Sequence, residues 1–431
     1  MSRIAVIGAG ISGMAAAHLL SQKHEVWLFE KEDRLGGHTH THSIETSRGR
    51  LPIDSGFIVH NDRTYPNLVR LFRRLGVARQ ASDMSFGVSC RQTGLEYSSR
   101  GLRGFFSGNW HRPAHYRFLA EIVRFNREAR RLLKDPAKTE ITLRDYLDAH
   151  GFGGDFTRFY LHPMAAAVWS TSPDEIEDFP VFTLVRFLEN HGLLGLASAP
   201  QWYALQGGSS SYIAPLTAPY QQRIRLGARI AGVTRTPHGV AVSFEDRPPQ
   251  RFDEVVFACH APQTLSLLKD ATLLERLVLG GFHTSRNETV LHTDSRLLPR
   301  RLGARASWNY HLGTRRRAAT LTYHMNRLQS LPTREDYCVT LNDTASVDER
   351  RILREMTYSH PLYTLDAVRS QSRWAEISGH NRTHFCGAYW FYGFHEDGLN
   401  SAIRVAAQLG ADWDSVATPE HHPSEAEVAT A

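Results

Sequence analysis

The first forty residues restrict this chain more than any other stretch. Arg3-Ile4-Ala5-Val6-Ile7 is a short apolar, β-rich run; it breaks into Gly8-Ala9-Gly10-Ile11-Ser12-Gly13, and a helix-forming segment from Met14 to Leu20 follows. Glycines placed where a strand hands over to a helix form the phosphate-binding turn of a Rossmann-type unit. Gly8 permits the tight turn, Gly10 lets the backbone approach a pyrophosphate, and Gly13 lets the helix pack on the strand. The first helical turn, with Ile11 and Ser12, presents free N–H groups and the positive end of the helix dipole to the phosphates. A second strand, Glu25-Val26-Trp27-Leu28-Phe29, ends on Glu30, a carboxylate placed to accept hydrogen bonds from an adenosine ribose.

The extension Glu30-Lys31-Glu32-Asp33-Arg34-Leu35-Gly36-Gly37 resembles the FAD signature of the flavin-containing amine oxidase and phytoene desaturase superfamily, in which the glycine pair lies against the cofactor. The resemblance implies non-covalent FAD, with Lys31, Arg34, Gly36 and Gly37 in the signature and His38 where the superfamily commonly has Arg. Asp54-Ser55-Gly56-Phe57 resembles the next family segment, near the flavin. By the same resemblance Val233 contacts adenine through its backbone, and Ala258 leads into a turn, Cys259-His260-Ala261-Pro262, that passes the cofactor. Phe385 to Ala402 resembles the C-terminal FAD motif, a strand, a Gly turn at Gly387 and a helix from His395 through Gly398 and Leu399 whose N-terminus points at the flavin. Ala388 replaces the usual acid there, which leaves Glu396 and Asp397 as candidates for the ribityl contact.

More narrowly, Ser55 to Asn67, Ser307-Trp308-Asn309-Tyr310, Met325 to Gln329 and Asn381 to Trp390 resemble bacterial NAD/FAD-binding proteins related to the flavoprotein domain of plant cyclopropane fatty acid synthases. The implied fold is α/β, a Rossmann-like FAD-binding domain with an inserted α+β substrate domain. Residues 1–65, 205–265 and 380–415 are expected to build the first, 66–204 and 266–379 the second, and 416–431 a disordered tail.

Composition agrees with a globular protein of two domains: 431 residues, 42% hydrophobic and 22% charged. Net charge is +6, which favours anionic partners, and anionic lipid comes ahead of nucleic acid because no nucleic-acid motif is present. Four scattered cysteines without C-x-x-C spacing suit the reducing cytoplasm. No run approaches the roughly 20 apolar residues of a membrane span, so a soluble or inner-face peripheral protein is expected.

Along the chain, Pro66 to Leu75 carries a helical period. Residues 100–134 interleave arginines with Phe, Trp, Tyr and Leu; either a lipid interface or a domain-packing helix fits. Thr142-Leu143-Arg144-Asp145 and Ser172-Pro173-Asp174-Glu175 read as capping boxes. The apolar stretches Phe156–Trp169 and Phe179–Leu188 fit either a wall for a long greasy substrate or plain core. Runs at 224–233, 239–244 and 254–259, then 289–294, 319–325 and 337–341, read as strands. His38-Thr39-His40-Thr41-His42 would place three histidines on one face of a strand; no acid or thiol stands at ligand spacing, and no metal is expected.

For chemistry, flavin dehydrogenation needs a base beside the ring. His292, His324, His360 and His395 are candidates, His395 foremost for its place before the flavin-facing helix, and Tyr389 is a candidate wall or catalytic residue with Trp390 and Tyr392. Amine oxidases usually hold a lysine near flavin N5, yet the region 266–379 offers only Lys269. The leading expectation is therefore an FAD-dependent dehydrogenase or desaturase of a hydrophobic substrate, such as a methyl-branched fatty acyl chain of a phospholipid. An amine or carotenoid-type oxidase, or a non-catalytic flavoprotein partner of a lipid methyltransferase, remain alternatives.

Overall fold

A computed structural model describes residues 1–134, 141–169, 173–191, 193–194, 200–312 and 320–414. The expected tail at 416–431 and Ser172 of the second capping box lie outside them.

At the centre is a five-stranded parallel sheet built from β1 (Arg3–Ile7), β2 (Glu25–Phe29), β3 (Ile224–Arg225), β4 (Glu254–Phe257) and β5 (Thr383–Phe385), in the order β3-β2-β1-β4-β5. Val6 sits between Leu28 and Val256, so the N-terminal strand is the middle of the sheet. Both faces of a parallel sheet are covered, which is why Ile4, Ala5 and Val6 form an unbroken apolar run with no accessible surface. Helix α1 (Ile11–Leu20) is buried almost all round, squeezed between β1 and the C-terminal helix α4 (His395–Gln408). Its small residues Ala15, Ala16 and Ala17 allow that double contact. Between β2 and α4 in the chain lie α2 (Pro66–Arg74) and α3 (Pro113–Leu132), each opened by a proline.

A three-stranded antiparallel sheet, 230–236, 239–244 and 250–252, hangs from this layer. The expected single strand at 224–233 is in fact two strands in two sheets. Gly227, at φ +60°, turns the chain between them and donates its N–H to the Glu32 carbonyl.

The second layer is a seven-stranded sheet in the order 352–362, 283–292, 338–341, 321–324, 308–312, 86–90, 95–98. It draws strands from both excursions: Phe86–Cys90 runs parallel to Trp308–Leu312, and the other pairs are antiparallel. The Thr142 hydroxyl accepts the Asp145 N–H, as its sequence pattern predicts.

One local expectation fails. His38 and His40 precede the strand Thr41–Thr46, because Gly36 and Gly37 take positive φ and the Thr39 N–H closes a turn on the Gly36 carbonyl. Three histidines therefore do not share one strand face; only His40 and His42 adjoin, ring centroids 4.0 Å apart. Among the described residues no cluster suited to a metal ion occurs. Nor is any described helix long and apolar enough to cross a membrane.

Candidate functional site

Two of the turn glycines are fixed by contact and one by open space. A Cβ on Gly8 would lie 2.9 Å from the Ala258 backbone, and one on Gly13 would overlap the Gly8 carbonyl oxygen. On Gly10 a Cβ would meet nothing within 4 Å. That exposed backbone sits at the N-terminus of α1, which no side chain caps and which has no acidic residue in its first turn. The Gly36-Gly37 pair folds back over it: Gly36 donates its N–H to the Ala9 carbonyl at 2.8 Å, and Gly37 packs against Gly10. Arg34 braces the pair by donating to the Gly37 carbonyl at 2.9 Å.

At the end of β2 the Glu30 carboxylate accepts the N–H groups of Ala9 (2.7 Å) and Glu32 (3.0 Å). Lys31 points outward and pairs with Glu32 at 3.3 Å. Val233 does not belong here. Its carbonyl accepts the Lys269 N–H at 3.0 Å, and its side chain is fully buried within its own sheet. The backbone that meets Glu30 is instead Ala228, whose N–H bonds the Glu30 carbonyl at 2.7 Å and which leads directly into Ile230.

The other end of the site is the start of α4. Gly398 lies so close to α1 that a Cβ would stand 2.7 Å from Ile11 and 2.9 Å from the Ser12 hydroxyl. Gly387 is fixed by its N–H to Ser401 Oγ at 2.8 Å, and Leu399 is core. Neither acid beside them is free for a ribityl chain. Glu396 accepts the Asn67 and Leu68 N–H groups (3.0 and 2.8 Å), capping α2, and Asp397 accepts the Phe394 N–H at 2.9 Å, capping its own helix. Burial raises the Asp397 carboxyl to about 7.

Between these ends, the ring of His395 stacks on Phe57 with centroids 3.7 Å apart. Its Nε2 lies 2.9 Å from Thr39 Oγ1, which is itself 2.5 Å from the Tyr212 hydroxyl. Burial, then the neighbouring His60, depresses the His395 imidazole to about 3, so it is neutral. Gly56 leaves no room for a Cβ against the His38 carbonyl, and Ser55 Oγ contacts His42 Nε2 (2.8 Å) and the Tyr358 hydroxyl (2.7 Å). Asp54 is a hub: it accepts Ser209 N–H and Oγ–H, the Thr41 hydroxyl at 2.5 Å and Gln329 Nε2 at 3.0 Å. Burial holds its carboxyl up to about 6.

Three expected catalytic residues lie elsewhere. His292 accepts the Asp294 N–H at Nδ1 and contacts Thr340 Oγ1 through Nε2 (2.8 Å), so both nitrogens are spent inside the sheet. His324 gives Nε2 to Asp336 at 2.9 Å. Tyr389 packs edge-on to Phe282 with a centroid distance of 4.9 Å and is buried. His360, by contrast, comes to the site: its Nδ1 accepts from Asn287 Nδ2, and its ring stands 5.1 Å from His38.

Sequence reasoning gave no role to His60, which is fully buried with neither nitrogen partnered. His38 Nε2 is likewise buried without a partner, with His260 at 6.3 Å. Buried polar atoms without a protein partner, where they line a site, leave hydrogen-bonding capacity that a ligand can satisfy. Together with the open backbone at Gly10 and the uncapped α1, they fit FAD stretched from Glu30 to His395.

The comparisons agree with this geometry. Residues 11–346 match the family of flavin containing amine oxidoreductases. A curated relative, the flavin-dependent L-tryptophan oxidase RebO of Lentzea aerocolonigenes, is 54% identical over 41 residues; the match spans 9% of this chain and 9% of that protein. Among solved structures, a putrescine oxidase with redesigned cofactor binding superimposes with TM-score 0.70 at 14% identity, covering 95% of this chain and 99% of that one. A CLA-producing fatty acid isomerase from P. acnes gives 0.68 at 15%, covering 94% and 98%. Cyclohexylamine oxidase from Brevibacterium oxydans IH-35A gives 0.66 at 16%, covering 95% and 99%. A Rossmann turn, a flavin-facing C-terminal helix and a family match over most of the length converge: the chain is an FAD-dependent oxidoreductase that belongs to the flavin containing amine oxidoreductase family.

Proposed function

We propose that this enzyme dehydrogenates a hydrophobic substrate, with a methyl-branched fatty acyl chain of a phospholipid as the leading substrate. One observation carries the reading: the three acids placed around His395, namely Asp54, Glu396 and Asp397, are already committed to protein donors and do not offer an ammonium a free carboxylate. Asp54, Glu396 and Asp397 each hold backbone or hydroxyl donors, and Lys269 lies against the 230–236 strand with Nζ on the Ser266 carbonyl. Apolar rings take their place. Phe394, immediately before His395, stacks on Phe187 at 4.8 Å, Phe187 meets Trp169 at 4.7 Å, and Trp169 reaches Phe179 and Tyr363. This packed aromatic chain supports reading 156–169 and 179–188 as one side of an apolar substrate site. A neighbour of the same fold, named as a CLA-producing fatty acid isomerase, supports the acyl-chain reading.

Bound FAD supplies the two-electron acceptor. The glycine turn and the α1 N-terminus would hold its diphosphate, Glu30 would meet its ribose, and the Phe57–His395 stack would stand beside its ring. In the His395 tautomer whose Nε2–H donates to Thr39 Oγ1, Nδ1 is left to take the substrate proton, and the Thr39–Tyr212 pair fixes the imidazole. The aromatic wall excludes water from that step.

Anaerobic titration of the yellow protein tests the reading. Bleaching of the flavin band by branched-acyl phospholipid, and not by putrescine or cyclohexylamine, is the expected result. Bleaching by the amines alone would replace it with amine oxidation.

A further inference from the structure

The segment 100–134 carries nine basic residues against two acidic ones, an excess larger than the net +6 of the whole chain. It folds as the short helix Gly101–Phe106 followed by α3. The inward stripe of α3, from His115 and Phe118 through Phe125 to Leu132, is core, which satisfies the domain-packing reading of this stretch. The opposite face is unusual. Leu102, Trp110, Tyr116 and Val123 stand 68, 51, 48 and 54% exposed. Leu302 joins them from a neighbouring turn, anchored there by the Arg301 guanidinium on the Ser107 carbonyl. Trp110 is not a loose side chain: it stacks on Phe106 at 3.9 Å, and its carbonyl accepts the Tyr116 hydroxyl.

Along the same two helices and their junction stand Arg103, Arg112, Arg117, Arg127 and Arg131, all exposed and none in an ion pair with any described residue. Only Glu121 and Glu128 offset them on the helix. Exposed aromatics on a strip of exposed arginines match the chemistry of a bilayer interface, where rings sit at the headgroup level and guanidinium groups bind phosphates. A protein partner would equally cover an apolar patch; the excess positive charge spread along the exposed helix beside Trp110 and Tyr116 favours an anionic lipid surface. We propose that the α3 face docks this enzyme on an anionic phospholipid membrane, with Leu102, Trp110 and Tyr116 entering the interface and the arginines gripping the headgroups. This goes beyond the acyl-chain reading and does not rest on it, since surface binding is read without turnover.

The test is cosedimentation of the flavin-loaded protein with phosphatidylcholine vesicles, with and without about one-third phosphatidylglycerol. Binding is expected to be about tenfold tighter with the anionic lipid and to weaken as salt rises. Leu102→Ser with Trp110→Ser, and separately Arg127→Glu with Arg131→Glu, should each cut it about tenfold while the flavin stays bound. Hydrogen exchange on the unmutated protein supplies a measurement free of folding effects: vesicles should slow exchange within 100–134. Equal binding to both vesicle types, protection confined to other segments, or a self-associated state that the substitutions dissolve would each overturn the proposal.

Discussion

His395 and Phe57 lie ring on ring, 3.7 Å between centroids and 14° between planes, although 338 positions separate them in the chain. This contact joins the start of α4 to the Asp54–Phe57 turn and fixes the site histidine whose Nε2 is held by Thr39 Oγ1. His395→Ala should therefore slow anaerobic flavin reduction by about a hundredfold or more, the range for removing a general base. Flavin content should not change. Stopped-flow absorbance reads both; an unaltered rate would remove His395 from the chemistry.

Open space at Gly10 and contact at Gly13 make opposite forecasts for the same substitution. Gly10→Val adds a side chain where no protein atom lies within 4 Å, so the protein should fold with the melting temperature of the apo form yet stay colourless. Gly13→Val drives a side chain into the Gly8 carbonyl and should give little folded protein. Calorimetry beside the absorbance spectrum separates the two.

Glu396 is a cap for another helix, so its loss should appear as instability. Glu396→Ala strands the Asn67 and Leu68 N–H groups and should cost about 1–2 kcal/mol with flavin affinity unchanged. Chemical denaturation checks the first figure. A selective loss of flavin would restore the ribityl role.

Acid should unfold this protein early. Burial depresses His60, His191, His292, His311 and His360 to about 4 and His395 to about 3. In the unfolded chain each titrates near 6.5, so below that value the unfolded state binds more protons and stability falls with pH until the folded values are reached. Each group contributes up to ~1.4 kcal/mol per pH unit. Asp54 at about 6 and Asp397 at about 7 act in the opposite sense, their raised values stabilising the folded state as pH drops toward 4. Two carboxyls do not offset six imidazoles against a typical stability of about 5–15 kcal/mol. Flavin fluorescence should rise steeply between pH 6.5 and about 5. Asp397→Asn, which removes one opposing group, should steepen that loss.

The chain's own order of residues determined whatever depends on neighbours: the strand-turn-glycine-helix of 3–20, the acid at Glu30, the caps at Thr142 and Pro66, and the arginine-rich helix. Each is set by backbone chemistry within a few positions, so its signal is local. Only the tertiary structure decided which titratable groups remain available. His292 was as good a candidate in the sequence as His395, but the Asp294 N–H and Thr340 hydroxyl take both of its nitrogens, while His324 turns Nε2 to Asp336 and the Tyr389 ring packs on Phe282. Glu396 was diverted in the same way, by a helix more than three hundred residues upstream. His60 carried no pattern at all, because an unpartnered nitrogen is defined by what surrounds it. A buried polar atom takes its role from the partners that packing brings or denies, and that list is written in three dimensions.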